Sequence, residues 1–272
     1  VLPIHTEVVA NITGRSELLA LFFSLLALLE FTREKANPWR VGLWILIGLG
    51  AKETAIAVIP LALLILFFRK QKILNPATLG VAGGTLIYFL MRYFVLGPAH
   101  FLGIETSIIE NPLLFTDVPG RIATALQILW MYISKTFWPA NLCSDYSYNQ
   151  IPVANFSNPQ VWLGAAILLF AIISFFFLFK KKPTRATPEA SARRVISFAS
   201  AIFLASFIPV SNLLFPVGTI AGERLFFFPS LGFALLVALL LTPSNLPLGR
   251  GRQATIIAII VVYSVLSFNR QG

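Results

Sequence analysis

The chain has 272 residues, 57% hydrophobic and 12% charged, with a formal net charge of +10 and a mean hydropathy of +0.81. A water-soluble globule needs far more polar surface than that, and runs near or above about 18 apolar residues have the length of bilayer-crossing helices. These runs are apolar all round, which excludes an outer-membrane barrel with alternating strands, and the expectation is an all-α, multi-pass membrane protein.

The charge does not point to nucleic acid. Its bases gather beside the apolar runs, as "RKQK" at 69–72, "KKKPTR" at 180–185, "RR" at 193–194 and "RGR" at 250–252. That is the pattern of cytoplasmic loops under the positive-inside rule. The single Cys143 permits neither an intrachain disulfide nor a multi-cysteine metal site.

The chain opens at "VLPIHTE" and closes at "FNRQG" beside an apolar run, so it reads as one membrane domain, 1–272, belonging to a longer protein. The apolar runs are 16–32, 41–68, 75–96, 160–179, 196–212, 225–242 and 255–268. Oriented by their bases, 33–40, 69–74, the linker 180–194 and 243–254 face the cytoplasm, while 1–15, the large loop 97–159 and 211–224 face outward. The run 41–68 has bases at both ends yet is too short for two full spans at 1.5 Å per residue. The spacing predicts a broken hairpin bent at Gly48, Gly50 and Lys52-Glu53; one long tilted helix is the alternative. Within the loop, 118–138 carries Arg121, Thr124, Gln127 and Lys135 among apolar residues, with Trp130, Tyr132 and Trp138 suited to a headgroup layer. It is expected to lie on the outer membrane surface as an amphipathic helix; a further membrane span is the alternative.

With this topology the polar residues gather on the outer face: His5, Glu7, Arg15, Lys52, Glu53, Asp145, Asn212, Glu223 and Arg224. Each has a structural reading beside the functional one. His5 and Glu7 suit the start of a short helix, Arg15 a helix boundary, and Arg224 the snorkelling edge of a span. Asp145 lies in "CSDYSYNQ", behind the Trp-Pro that ends the amphipathic segment. Lys52-Glu53 inside an apolar run costs free energy unless paired or wet. As a set they suit group transfer from an anionic lipid. A guanidinium can hold a phosphate with two parallel hydrogen bonds, and a carboxylate can take a proton from an incoming hydroxyl. No spacing of His, Asp or Glu calls for a metal, although the loop acids could recruit a divalent ion.

Four stretches, "PIHTEVVANITGRSELLALFF", "AKETAIAV", "ENPLLF…RIATALQILWMYISKTFWPANLCSDYS" and "PVSNLLFPVGTIAGERLFFFPSLGF", occur in the chain in that order. In them the sequence resembles the transmembrane and tetratricopeptide-repeat (TMTC-type) O-mannosyltransferases and their prokaryotic relatives. The resemblance implies a GT-C-like helical bundle that moves mannose from a polyprenyl-phosphate donor to a protein Ser or Thr. The reaction would take place on the lumenal or periplasmic face of the endoplasmic reticulum or the bacterial inner membrane. It implies no cofactor beyond that lipid-linked donor, and a protein acceptor as partner. By matching position, Arg224 and then Lys52 would hold the donor phosphate, with His5, Arg15, Glu53, Asn212 and Glu223 in support. The key acid of such enzymes sits in the first outward loop, in a segment that would precede Val1; here Glu7 and Asp145 are the remaining candidates. The family's tetratricopeptide array is not in this sequence. A transporter or flippase, or a noncatalytic membrane anchor for a repeat scaffold, are the rival readings. The first would call for an internal repeat, which the sequence does not display.

Overall fold

A computed structural model describes residues 2–100, 107–139, 141–143, 146, 149–176, 188–241 and 250–271. Every regular element among them is helical. They divide into two compact units, one made of Val1–Asn11 with Ser107–Gly272 and the other of Ile12–Thr106. Among the described residues, three helices are long and apolar enough to cross a membrane: Pro76–Gly97, Pro159–Phe176 and Ala192–Val210. The chain is an all-α, multi-pass membrane protein.

In the second unit, α2 (Arg15–Phe31) and α3 (Pro38–Ala51) form a hairpin. Asn37 starts α3 because its side chain accepts hydrogen bonds from the Trp39 and Arg40 amides, with Pro38 at the first helical position. α3 stops at Lys52, whose backbone is extended, and a 3-10 turn Glu53–Ala57 leads into α4 (Val58–Arg69). Near this bend, Thr54 donates to Glu17 at 2.7 Å. At the far end, the Arg69 guanidinium donates to the Thr32 carbonyl oxygen. Both basic flanks of 41–68 therefore lie at one end, and the segment folds as a broken hairpin with Lys52-Glu53 at its turn. At 14 residues, α3 is about 21 Å long, short of a full bilayer core.

α5 (Pro76–His100) lies along α3 in the same direction. Their backbones nearly touch. A Cβ at Gly80 would stand 2.3 Å from the Pro38 carbonyl oxygen, and one at Gly84 would stand 2.3 Å from that of Gly42. In a membrane, where lipid competes for apolar contact, such small-residue spacing lets dispersion and backbone proximity hold helices together.

The first unit contains α1 (Thr6–Ala10), α6 (Val118–Phe137), α7 (Pro159–Phe176), α8 (Pro188–Phe207), α9 (Phe227–Leu241) and α10 (Arg250–Gln271). α8 begins inside the segment 180–194, so Arg193 and Arg194 stand on a helix; residues 177–187 lie outside the described ones. α6 is capped by Asp117, which accepts from the Gly120 amide at 3.2 Å. One side of α6, with Ala123, Leu126, Leu129 and Tyr132, is buried, while Phe137 and Trp138 at its end are exposed. It packs on α7 so closely that a Cβ at Gly164 would fall 1.9 Å from the Leu126 carbonyl oxygen. α8 and α9 meet the same way, with Gly232 against Ala199.

Gly80→Val should lower the melting temperature of the detergent-solubilised protein, at a cost of about 1–3 kcal/mol from overpacking. Gly83→Ala, where an added Cβ meets nothing within 4 Å, should leave it within a degree or two. Equal effects of the two substitutions would refute the close packing of α3 on α5.

Candidate functional site

The segment 211–224 starts from a buried asparagine. Asn212 adopts a left-handed backbone with φ 60°, which asparagine tolerates better than most residues. Its side chain then satisfies all four of its hydrogen-bonding positions. It accepts from the Val217 amide at 2.7 Å and from Asn111 Nδ2 at 2.9 Å, and donates to the Thr219 and Ile220 carbonyls at 3.1 and 3.2 Å. Asn111, also fully buried, donates again to the Val217 carbonyl at 2.6 Å and accepts from the Leu113 amide at 3.1 Å. The Ile220 amide bonds to the Glu110 carbonyl at 3.0 Å. The two asparagines thus hold the loop in a single conformation against residues 110–113.

The loop delivers the chain to Gly222 and to the 3-10 turn Glu223–Phe226 that precedes α9. α6 grips this point twice. The Tyr132 hydroxyl donates to the Gly222 carbonyl and accepts from the Gly222 amide, both at 3.0 Å. One turn further along α6, Lys135 stands 3.5 Å from the Glu223 carboxylate. Glu223 is fully buried. It also accepts from the Cys143 amide at 2.8 Å and from the Tyr146 hydroxyl at 3.0 Å. Lys135 in turn donates to Tyr146 and to the Asn141 carbonyl, the latter at 2.7 Å. Burial raises the pKa of both Tyr132 and Tyr146, with the Glu223 charge adding to the effect at Tyr146. Both phenols stay protonated and act as donors. The Tyr132 ring stacks on Phe226 at 5.2 Å, which locks the same turn from its apolar side.

Successive residues of a 3-10 turn point about 120° apart, so Glu223 and Arg224 face different partners. Arg224 turns to Glu7. Its Nη1 is 2.9 Å from Glu7 Oε1, and its backbone amide donates to Glu7 Oε2 at 3.1 Å. Glu7 is buried on α1, whereas the Arg224 side chain keeps 30% of its surface exposed. The other guanidinium N–H groups of Arg224 bond to no described residue. One edge of the fork is anchored and another is open, a geometry suited to a phosphate or carboxylate. His5 packs edge-on against Phe227 at 5.1 Å, beside the same turn.

His5, Glu7, Asn212, Glu223 and Arg224 therefore belong to the first unit, where Glu7 and Arg224 bond to each other while Asn212 and Glu223 each centre a hydrogen-bonded cluster of their own. Arg15, Lys52 and Glu53 belong to the second unit. There Arg15 is exposed at the start of α2. Lys52 is held through its backbone, its amide donating to the Gly48 carbonyl at 3.0 Å and its carbonyl accepting from the Ala55 amide at 3.1 Å, and Glu53 pairs with Arg92 at 2.7 Å. Asp145 lies outside the described residues. No group of three or more His, Cys, Asp and Glu able to hold a metal occurs among the described residues. Sequence reasoning missed Asn111, Lys135, Tyr146 and Arg92. It also assigned Tyr132 to the membrane interface, whereas that ring is 3% exposed and serves the turn instead.

The chain is similar along most of its length to three protein O-mannosyl-transferases. It is 28% identical over 276 residues to F38B6.6 of Caenorhabditis elegans, covering 99% of this chain and 37% of the relative. It is 28% identical over 271 residues to TMTC3 of Mus musculus, covering 87% and 28% respectively. The same identity over 271 residues relates it to TMTC4 of Homo sapiens, covering 86% and 36%. The chain thus spans about a third of the length of these relatives. No protein-family profile and no solved structure matches it.

Lys135→Met should destabilise the protein by about 3–5 kcal/mol, because it leaves the Glu223 carboxylate buried without its cation. Lys135→Met combined with Glu223→Gln should recover most of that loss in thermal unfolding. A double variant as unstable as Lys135→Met alone would refute the pairing.

Proposed function

We propose, on the premise that this chain is a member of the TMTC-type protein O-mannosyl-transferase family, that it forms the membrane part of a glycosyltransferase using a lipid-linked sugar. The donor is a polyprenyl-phosphate sugar, taken to be mannose, and the acceptor is a Ser or Thr hydroxyl of a protein. The site faces the lumen or periplasm, opposite the basic loops. The observation that carries this reading is Arg224: a guanidinium anchored by a buried carboxylate, set on a doubly gripped turn, with open N–H groups.

In the reaction the hydroxyl oxygen attacks the sugar C1 and the C1–O bond to phosphate breaks. The bonding pair leaves on a phosphate oxygen, and the hydroxyl proton passes to a carboxylate. Charge grows on the phosphate as the bond breaks, and a fixed guanidinium meets it without reorganising. Glu7 holds that guanidinium through Oε1 and the Arg224 backbone amide through Oε2. Lys52 is the second cation proposed for the donor, and Asp145 stays a candidate for the proton. No metal is called on for any of these steps.

Arg224→Ala in the full chain should reduce transfer of radiolabelled mannose from dolichyl-phosphate mannose by about a hundredfold or more. Arg224→Lys should recover only part of it, since an ammonium lacks the fork. Equal transfer by wild type and Arg224→Ala would remove Arg224 from the donor site.

A further inference from the structure

The second unit carries a cleft of mixed apolar and charged lining with no part in the proposed chemistry. It lies at the basic end of the α2–α3 hairpin and is lined by Leu26, Leu29, Glu30, Arg33, Arg40 and Trp44. Its volume is about 190 Å³, below the roughly 300 Å³ at which pockets for whole drug-sized ligands begin. It has the size of a headgroup.

The cleft is built, not incidental. Glu30 is buried and holds two neighbours, the Arg33 guanidinium at 2.8 Å and the Asn37 amide at 3.2 Å. The first contact fixes Arg33 while leaving its side chain 54% exposed. The second ties the end of α2 to the cap of α3, so the two walls move as one. Arg40, on the first turn of α3, also lines the cleft, and its guanidinium makes no hydrogen bond or salt bridge with a described residue. Trp44 also lines the cleft, stacked on Phe23 at 5.7 Å and 22°.

Charge and polarity then run in one direction along α2. Arg33 and Arg40 stand at the mouth, with Lys35 and the Arg69–Lys70 helix end at the same end of the hairpin. Away from the mouth, Leu29, Leu25 and Phe22 are 59%, 43% and 55% exposed and form an apolar track along α2. A soluble anion would use the mouth alone. A phospholipid uses both parts, with its phosphate between two guanidiniums and an acyl chain on the track.

We propose that this cleft binds the headgroup of an anionic phospholipid, with Arg33 and Arg40 on its phosphate. Glu30 serves to position Arg33. Each basic residue near an anionic headgroup contributes roughly a fivefold change in affinity, so the two arginines together give the site its lipid selectivity. The proposal does not rest on the transfer reaction.

The test is native mass spectrometry of the detergent-purified full chain, titrated with dioleoyl phosphatidylglycerol, dioleoyl phosphatidylcholine or inorganic phosphate. One phosphatidylglycerol should be retained per chain in preference to phosphatidylcholine, and millimolar phosphate should not displace it. Arg33→Gln with Arg40→Gln should weaken retention by about tenfold or more. Lys72→Gln, which removes a base at the same end but off the cleft, should leave it unchanged. Leu26→Trp keeps both arginines and fills the cleft. It should also abolish retention, and it carries the test if the arginine double variant does not fold. Equal retention of the two lipids, displacement by free phosphate, or an equal loss in Lys72→Gln would overturn the proposal. So would undiminished retention in Leu26→Trp.

Discussion

The buried carboxylate of Glu223 is the constraint on which the frame around Arg224 depends. A charge removed from water must be met on several sides or the region does not fold as drawn. Here the partners come from one helix and from the chain just after it. Lys135 on α6, the Cys143 amide and the Tyr146 hydroxyl all converge on it. With Tyr132 holding the preceding glycine by both its backbone groups, α6 sets the position and the rotation of the turn. The direction of Arg224 follows from that rotation. Its exposure follows from Glu7 taking only one edge of the fork.

The same economy of means appears in how the helices meet. Where lipid surrounds a protein, apolar burial does little to choose between helix contacts. The chain places glycines where backbones cross, at Gly80 and Gly84 against α3, Gly164 against α6 and Gly232 against α8. Polar contacts are kept for points that must not slide. Thr54 with Glu17 and Arg92 with Glu53 mark the Lys52 bend, and Asn111 with Asn212 marks the loop 211–224.

Much of this was legible in the sequence, for physical reasons. Apolar runs report helices directly, and 16–32 and 160–179 coincide within a few residues with α2 and α7. The bend at Lys52 was visible because charge and glycine interrupt a run with basic flanks at both ends. The frame of the site was harder to see. Lys135 and Tyr132 on an amphipathic helix carry the same pattern as residues facing headgroups, and the group that Tyr132 holds is a glycine backbone, which leaves no side-chain signal. Glu223 and Arg224 are neighbours in sequence, and only the 3-10 turn sends them to opposite partners.

The contact between Glu7 and Arg224 joins residues 217 positions apart, almost the whole length of the chain. At roughly 5–20 residues per second, synthesis separates the two by on the order of ten to forty seconds. Throughout that interval Glu7 lacks its native guanidinium, and a lone carboxylate is costly to bury. The segment carrying it must therefore wait in water while the intervening helices enter the bilayer. This clasp closes only after every residue from 8 to 223 has been made.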